Sequence, residues 1–151
     1  MSSLTPADAD YESRVRASFA AQQVMTTIGA TLDRVLPGEV WISLPHRDTI
    51  TQQHGFVHAG IVATVLDSAC GYAAHSLMGA DDGVLTVEYK INLMAPARGE
   101  HIEAHGRVVR AGRTLTVCRG EAMAVEDGVT TPVAVMQATI MTIRGRSDVR
   151  G

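Results

Sequence analysis

The sequence contains only two cysteines, and their placement argues against a disulfide bond or a thiolate metal site. Cys70 and Cys118 both lie in largely apolar runs of the 151-residue chain, and no CxxC spacing is present. Buried free thiols are therefore predicted, and such thiols suit a reducing compartment.

The sequence also lacks the remaining parts of a zinc motif. The pairs His54/His58 and His101/His105 each have the spacing of four residues that one helix face would allow. Neither pair is accompanied by an HExxH pattern or by an acidic ligand motif. We therefore expect no metal and no cofactor.

An excess of positive charge is missing as well. Lysine and arginine total 13 against 16 acidic residues, which gives a formal net charge of -3. Such a chain has no basic field to attract a polyphosphate, so nucleic-acid binding is not expected. An anionic ligand would have to be held by local groups.

Neither a secretion signal nor a membrane span is predicted. The N-terminus carries early acidic residues and no apolar signal core, which favours a cytoplasmic protein. The 22 residues from Ala59 to Ala80 contain one formal charge, Asp67, together with several Gly, Ser and Thr residues. A charge at the bilayer centre is costly, so this stretch is interpreted as a helix buried inside a soluble domain.

The length and the 46% apolar content predict one folded domain spanning residues 1–151, with its core at about 30–143. Thr5, Pro6 and Asp8 resemble a helix start with a capping box, which predicts a small amphipathic helix at about 6–24. The tail at 145–151 is expected to fray.

Apolar periodicity predicts the remaining elements. A hairpin is expected from Thr31–Leu36 and Glu39–Leu44, and a helix from about His58 to Met78 with Gly79 as its C-cap. Alternation over 86–93 predicts a half-buried strand, and 102–110, 113–125 and 132–143 form an expected antiparallel meander. The fold class is α+β, with one long central helix wrapped by a curved antiparallel sheet of five to six strands.

Asp67 is the most unusual residue of the predicted central helix. A carboxylate in an apolar helix is unfavourable unless it is paired or hydrated, and desolvation raises its pKa toward the range of a general base. Its neighbours on the same helix face are small, which leaves room for a ligand. The alternative is a structural aspartate that is hydrogen-bonded to backbone or to a partner chain.

The segment from Gln52 to Gly60 leads into this helix. A helix start has unpaired N–H groups and a partial positive charge, so Ala59 and Gly60 could donate to an anion or to a developing oxyanion. The alternative is a glycine-containing turn in which His58 caps the helix. Because this segment precedes Asp67 at a fixed distance along the helix, the two together predict a hydrolytic site of which the segment is the second half.

The spacing of the two halves predicts an assembly. His58 and Asp67 are nine residues apart, which places them on opposite sides of one helix and about 13 Å apart along its axis. The two side chains cannot meet within one chain. A two-fold homodimer with two shared sites is therefore expected if both serve one reaction.

These residues resemble the hotdog-fold thioesterases of the 4-hydroxybenzoyl-CoA thioesterase superfamily, and most closely the phenylacetate-pathway (PaaI-like) branch. The likeness rests on the loop 52–60, on Asp67, on the stretch 84–97 and on the strand pair 107–117. It implies an acyl-CoA thioesterase acting on aromatic or short to medium acyl groups. It also implies a homodimer or a dimer of dimers.

The resemblance further implies roles for individual residues. Asp67 would activate water or attack the thioester carbonyl, whose oxygen the Ala59 N–H would polarise. Gln52 and His58 would hold the thioester or the water, and Thr86 would assist the carboxylate. The expected substrate-binding and CoA-binding residues are Gly60, Phe56, Lys90, Arg110 and Arg113.

Two other functions remain open at this stage. A hotdog dehydratase acting on 3-hydroxyacyl thioesters also combines a histidine with a helical acid. A non-catalytic module could bind an acyl thioester in the same groove without turning it over.

Overall fold

The structure is a computed structural model that describes residues 4–149. It contains three α-helices, a short 3-10 helix at Asp48–Ile50 and six strands within that range. The helices are α1 (Tyr11–Ala21), α2 (Gln23–Ile28) and α3 (Ala59–His75), and the strands are β1 (Thr31–Leu36), β2 (Glu39–Pro45), β3 (Gly83–Leu93), β4 (His101–Ala111), β5 (Leu115–Glu126) and β6 (Val129–Ile143). The α+β class is confirmed, and the strands lie close to their predicted positions, although β3 and β6 each begin three residues earlier than predicted.

The six strands form one antiparallel sheet in the order β1-β2-β4-β5-β6-β3. The last three strands of the chain, β4 to β6, are the predicted meander. Helix α3 packs across the concave face and contacts every strand from β2 to β6. No helix within residues 4–149 is long and apolar enough to cross a membrane.

The sheet approaches α3 closely because small residues alternate along its inner face. A Cβ atom at Gly106 of β4 would overlap the backbone of Ala69 in α3. The thiols of Cys70 and Cys118 are buried in the same layer, as predicted, and burial raises the pKa of Cys118 to about 12.

The N-terminal helix differs from its predicted span of 6–24. It begins at Tyr11 because the Asp8 carboxylate accepts the N–H of Asp10 and pairs with Arg14 at 2.9 Å, which holds a turn before the helix. The chain then leaves the helical conformation at Gln22, whose ψ is 98°, and continues as α2. The C-terminal prediction falls partly on residues 150 and 151, which lie outside the described range.

The C-cap predicted for α3 at Gly79 is wrong. The helix ends at His75, and the Arg14 guanidinium donates to the carbonyl of this last residue and to that of Met78, which lies beyond the helix. The bond to His75 satisfies one of the carbonyl groups that a helix end leaves unpaired. Gly79 instead donates its N–H to the carboxylate of Asp82 in the following turn.

Strand β3 also differs from the prediction of a half-buried strand. It lies at the open edge of the sheet and pairs only with β6, with a register shift between Thr86 and Glu88. Its large apolar side chains stay exposed, at 55% for Val87, 45% for Tyr89 and 53% for Leu93. The apolar alternation is present, but no strand within residues 4–149 covers it.

Candidate active site

Asp67 lies in the middle of α3 and faces a cleft of about 500 Å³, here called the carboxylate cleft. The Thr86 hydroxyl of β3 donates to the Asp67 carboxylate at 2.7 Å across this cleft. The pair joins the central helix to the edge strand. The other lining residues are Ser18, Ala21, Gln22, Ser68, Gly71, Tyr72, Val84 and Leu85.

The surroundings of Asp67 act on its pKa in two directions. Burial raises the pKa of the carboxyl group, and the hydrogen bond from Thr86 lowers it by favouring the ionised form. Burial is the larger effect, so the carboxylate is more basic than an exposed aspartate. A carboxylate with a raised pKa beside a ligand-sized cleft is suited to accept a proton.

His58 is the N-cap of α3. Its Nδ1 atom accepts the N–H of Gly60 at 2.9 Å. A neutral imidazole that accepts at Nδ1 carries its proton on Nε2, so this ring can donate to a ligand. The cap engages Gly60, and the N–H of Ala59 is then the helix-start donor best placed for a ligand.

The loop before α3 is held in a compact turn. A bridge joins Thr51 to Val57, and the backbone N–H of Gln52 donates to the Phe56 carbonyl at 2.8 Å. The Gln52 side-chain oxygen accepts the backbone N–H of His54. Its amide N–H groups therefore remain available for a ligand.

Four of the predicted site residues line a second cleft of about 510 Å³, here called the helix-start cleft: Gln52, Phe56, His58 and Ala59. Its other lining residues are Gln53, Val57, Val62, Leu93, the segment 94–97 and Val133. Asp67 and Thr86 are absent from its lining, and the four residues are absent from the carboxylate cleft. These six predicted residues of one chain thus lie in two separate clefts.

The remaining predicted residues lie outside both clefts. Lys90 is exposed on β3, where its ammonium group donates to Asn92 at 2.8 Å. Arg110 and Arg113 are exposed near the β4–β5 turn. Gly60 uses its N–H in the cap. A role of these residues in substrate or CoA binding remains a prediction.

Sequence reasoning missed the contribution of α1 to the carboxylate cleft. Ser18 contacts the Tyr72 hydroxyl at 3.3 Å, and Gln22 accepts a hydrogen bond from Ser68 at 3.2 Å. The only signal in the sequence is that Gln22 shares the apolar face of the predicted helix with Val15. A polar residue on a packing face needs a partner, and here that partner lies beside Asp67.

Comparison with known proteins finds similarity to thioesterases and esterases. The family model described as "Thioesterase superfamily" matches residues 54–131. A Halobacterium salinarum protein named as an inferred esterase is 30% identical over 120 residues, which cover 76% of this chain and 79% of that protein.

Solved structures give the same result. A thioesterase family protein from Silicibacter pomeroyi is 53% identical, covers 89% of this chain and 99% of its own, and superposes with a TM-score of 0.88. The Escherichia coli PaaI protein from the phenylacetic acid degradation operon shares the fold at 16% identity, with a TM-score of 0.79 over 90% of this chain and 95% of its own.

Proposed function

The chain belongs to the thioesterase superfamily and has the hotdog fold, and on this premise we propose that it hydrolyses an acyl-CoA to a free acid and CoA. The observation that carries the proposal is the Asp67 carboxylate, which is half-buried, held by Thr86 and open to a cleft of ligand size.

In the proposed reaction, Asp67 takes a proton from a water molecule while the water oxygen attacks the thioester carbonyl carbon. The oxygen of the resulting tetrahedral adduct accepts a hydrogen bond from the Ala59 N–H, where the helix dipole favours negative charge. Collapse of the adduct breaks the C–S bond, and the proton held by Asp67 passes to the leaving thiolate. Gln52 and the Nε2–H of His58 position the thioester.

This mechanism requires two copies of the chain. The carboxylate cleft of one copy must face the helix-start cleft of the other, because Asp67 and Ala59 open into different clefts of one chain. The exposed apolar side chains along the free edge of β3 favour a second copy as the partner. We therefore propose a homodimer with two shared sites. Association of two dimers remains a prediction.

The test is a panel of acyl-CoA esters, with release of the CoA thiol followed by a thiol-reactive chromophore. We expect stoichiometric thiol and free acid from at least one ester. Hydration of a crotonyl thioester without thiol release would identify a dehydratase. Tight binding of the esters without turnover would identify a binding module. Either result would overturn the proposed hydrolysis.

A further inference from the structure

Gln22 occupies the point where α1 and α2 are interrupted. Its backbone is extended, with φ at −79° and ψ at 98°, and its side chain is half-buried against α3. Ser68, which follows Asp67 and is 8% exposed, donates to the Gln22 side-chain oxygen at 3.2 Å. The break in the N-terminal helix thus fixes an amide group in the wall of the carboxylate cleft.

The Gln22 amide has unused hydrogen-bonding capacity. Its oxygen is engaged by Ser68, and its two N–H groups have no acceptor among residues 4–149. A second polar pair lies in the same wall, where the Ser18 and Tyr72 hydroxyls share one hydrogen bond. Two hydroxyl groups provide two protons, so this pair also retains a donor. Ala21 and Val84 add apolar surface to the lining of the same cleft.

The free N–H donors of Gln22 would interact differently with different acyl groups. The water that Asp67 activates must reach the thioester carbonyl carbon, so that carbon lies at the carboxylate cleft, and in this proposal the attached acyl group extends along it. A plain hydrocarbon would displace water from the Gln22 amide and leave its donors unpaired, which is unfavourable. An acyl group with an oxygen acceptor would replace that water. A site with a positioned hydrogen-bond donor therefore rejects the analogue that lacks the acceptor.

We propose that Gln22 is a specificity-determining residue that selects acyl thioesters bearing a hydrogen-bond acceptor, such as a keto or hydroxyl oxygen, away from the thioester. This inference rests on the proposed thioester hydrolysis. It adds to that function a residue from the N-terminal segment and a class of acyl group.

The test compares hexanoyl-CoA with 5-oxohexanoyl-CoA and 6-hydroxyhexanoyl-CoA. These esters share one chain length and differ in the distal oxygen. We expect the native chain to prefer one of the oxygenated esters by about tenfold in kcat/KM, the scale of one hydrogen bond. Gln22→Leu removes that preference, because kcat/KM for the favoured oxygenated ester falls to the level of hexanoyl-CoA. Gln23→Leu, at the exposed neighbouring position, retains the preference.

A packing role for Gln22 makes a different prediction. If Gln22→Leu lowered kcat/KM for all three esters by the same factor, or if the native chain showed no preference, the proposal would be wrong. Gln22→Asn, which keeps an amide, should restore part of the preference.

Binding of the corresponding CoA thioethers, which have no thioester to hydrolyse, separates this proposal from the proposed function. A preference for the oxygenated thioethers that disappears in Gln22→Leu would support the selectivity even if no ester were hydrolysed. Hydrolysis of the esters without any such preference in rate or in binding would retain the proposed function and overturn the role of Gln22.

Discussion

Replacing Asp67 by asparagine removes the carboxylate charge and changes little else. The two side chains have nearly the same volume, and the asparagine oxygen can still accept the hydrogen bond that Thr86 donates at 2.7 Å. The substitution therefore tests proton transfer with the cleft intact.

The expected effect on rate follows from the groups that the substitution leaves in place. The helix-start cleft retains its donors, so the thioester can still bind and its carbonyl can still be polarised. Loss of a positioned base alone lowers the rate by about 10²-fold to 10⁴-fold. We expect kcat to fall by at least about a hundredfold, with little change in KM.

The same substitution lowers kcat but is not expected to lower the stability of the fold. Burial raises the pKa of Asp67 above its ordinary value of 3.8, so the folded chain binds that proton more readily than the unfolded chain. The contribution of this group is complete below pH 3.8 and is lost as the pH rises through the folded-state pKa. At neutral pH Asp67→Asn should therefore be at least as stable as the native chain.

The assay is thiol release under saturating acyl-CoA, with thermal unfolding measured on the same samples. Asp33→Asn is the matched control, because Asp33 is exposed on β1 and lines neither cleft. That control should keep native activity. Full activity in Asp67→Asn would refute the assignment of the base, and loss of the fold would refute the account of its burial.

Three further predictions concern the surroundings of the site and the core. Thr86→Val removes the bond that lowers the pKa of Asp67, so the acid limb of the kcat/KM profile should move to higher pH, while Thr86→Ser should keep it in place. Gly106→Ala should destabilise the fold by about 3 kcal/mol in urea unfolding, because its Cβ meets the backbone of α3. Gly71→Ala, whose Cβ would have no atom within 4 Å apart from its chain neighbours and the backbone of its own helix, should remain within about 1 kcal/mol of the native chain. Burial lowers the pKa of His75 from 6.5 to about 4, so native stability should fall as the pH drops through that interval, and His75→Gln should flatten this dependence.

Much of the fold could be predicted because its signals are local. The hairpin bounds at 31–36 and the meander follow from alternation, and α3 follows from a long apolar run with small residues. Asp67 could be identified because a single charge in such an apolar run is energetically unfavourable unless it has a function or a partner. Thr86 lies beside it and donates a hydrogen bond to its carboxylate, and the role that the resemblance implied for Thr86 remains a prediction.

The differences arise where tertiary contacts override local patterns. The open position of β3 depends on strand order, which alternation does not reveal. The end of α3 at His75 depends on Arg14, a residue 61 positions away. The break at Gln22 places an amide beside Ser68, and neither local propensity nor periodicity indicates that contact. These contacts became apparent only in the folded chain.

Mixing two inactive variants tests the central claim most directly, because that claim is one hydrolytic site built from two chains. Asp67→Asn lacks the base, and Gln52→Ala combined with His58→Ala lacks the groups that position the thioester. If subunits exchange freely at equal amounts, half of the dimers are mixed, and each mixed dimer has one intact site. The account predicts that the mixture recovers about a quarter of native thioesterase activity. A mixture that stays as inactive as its components after demonstrated subunit exchange would contradict it.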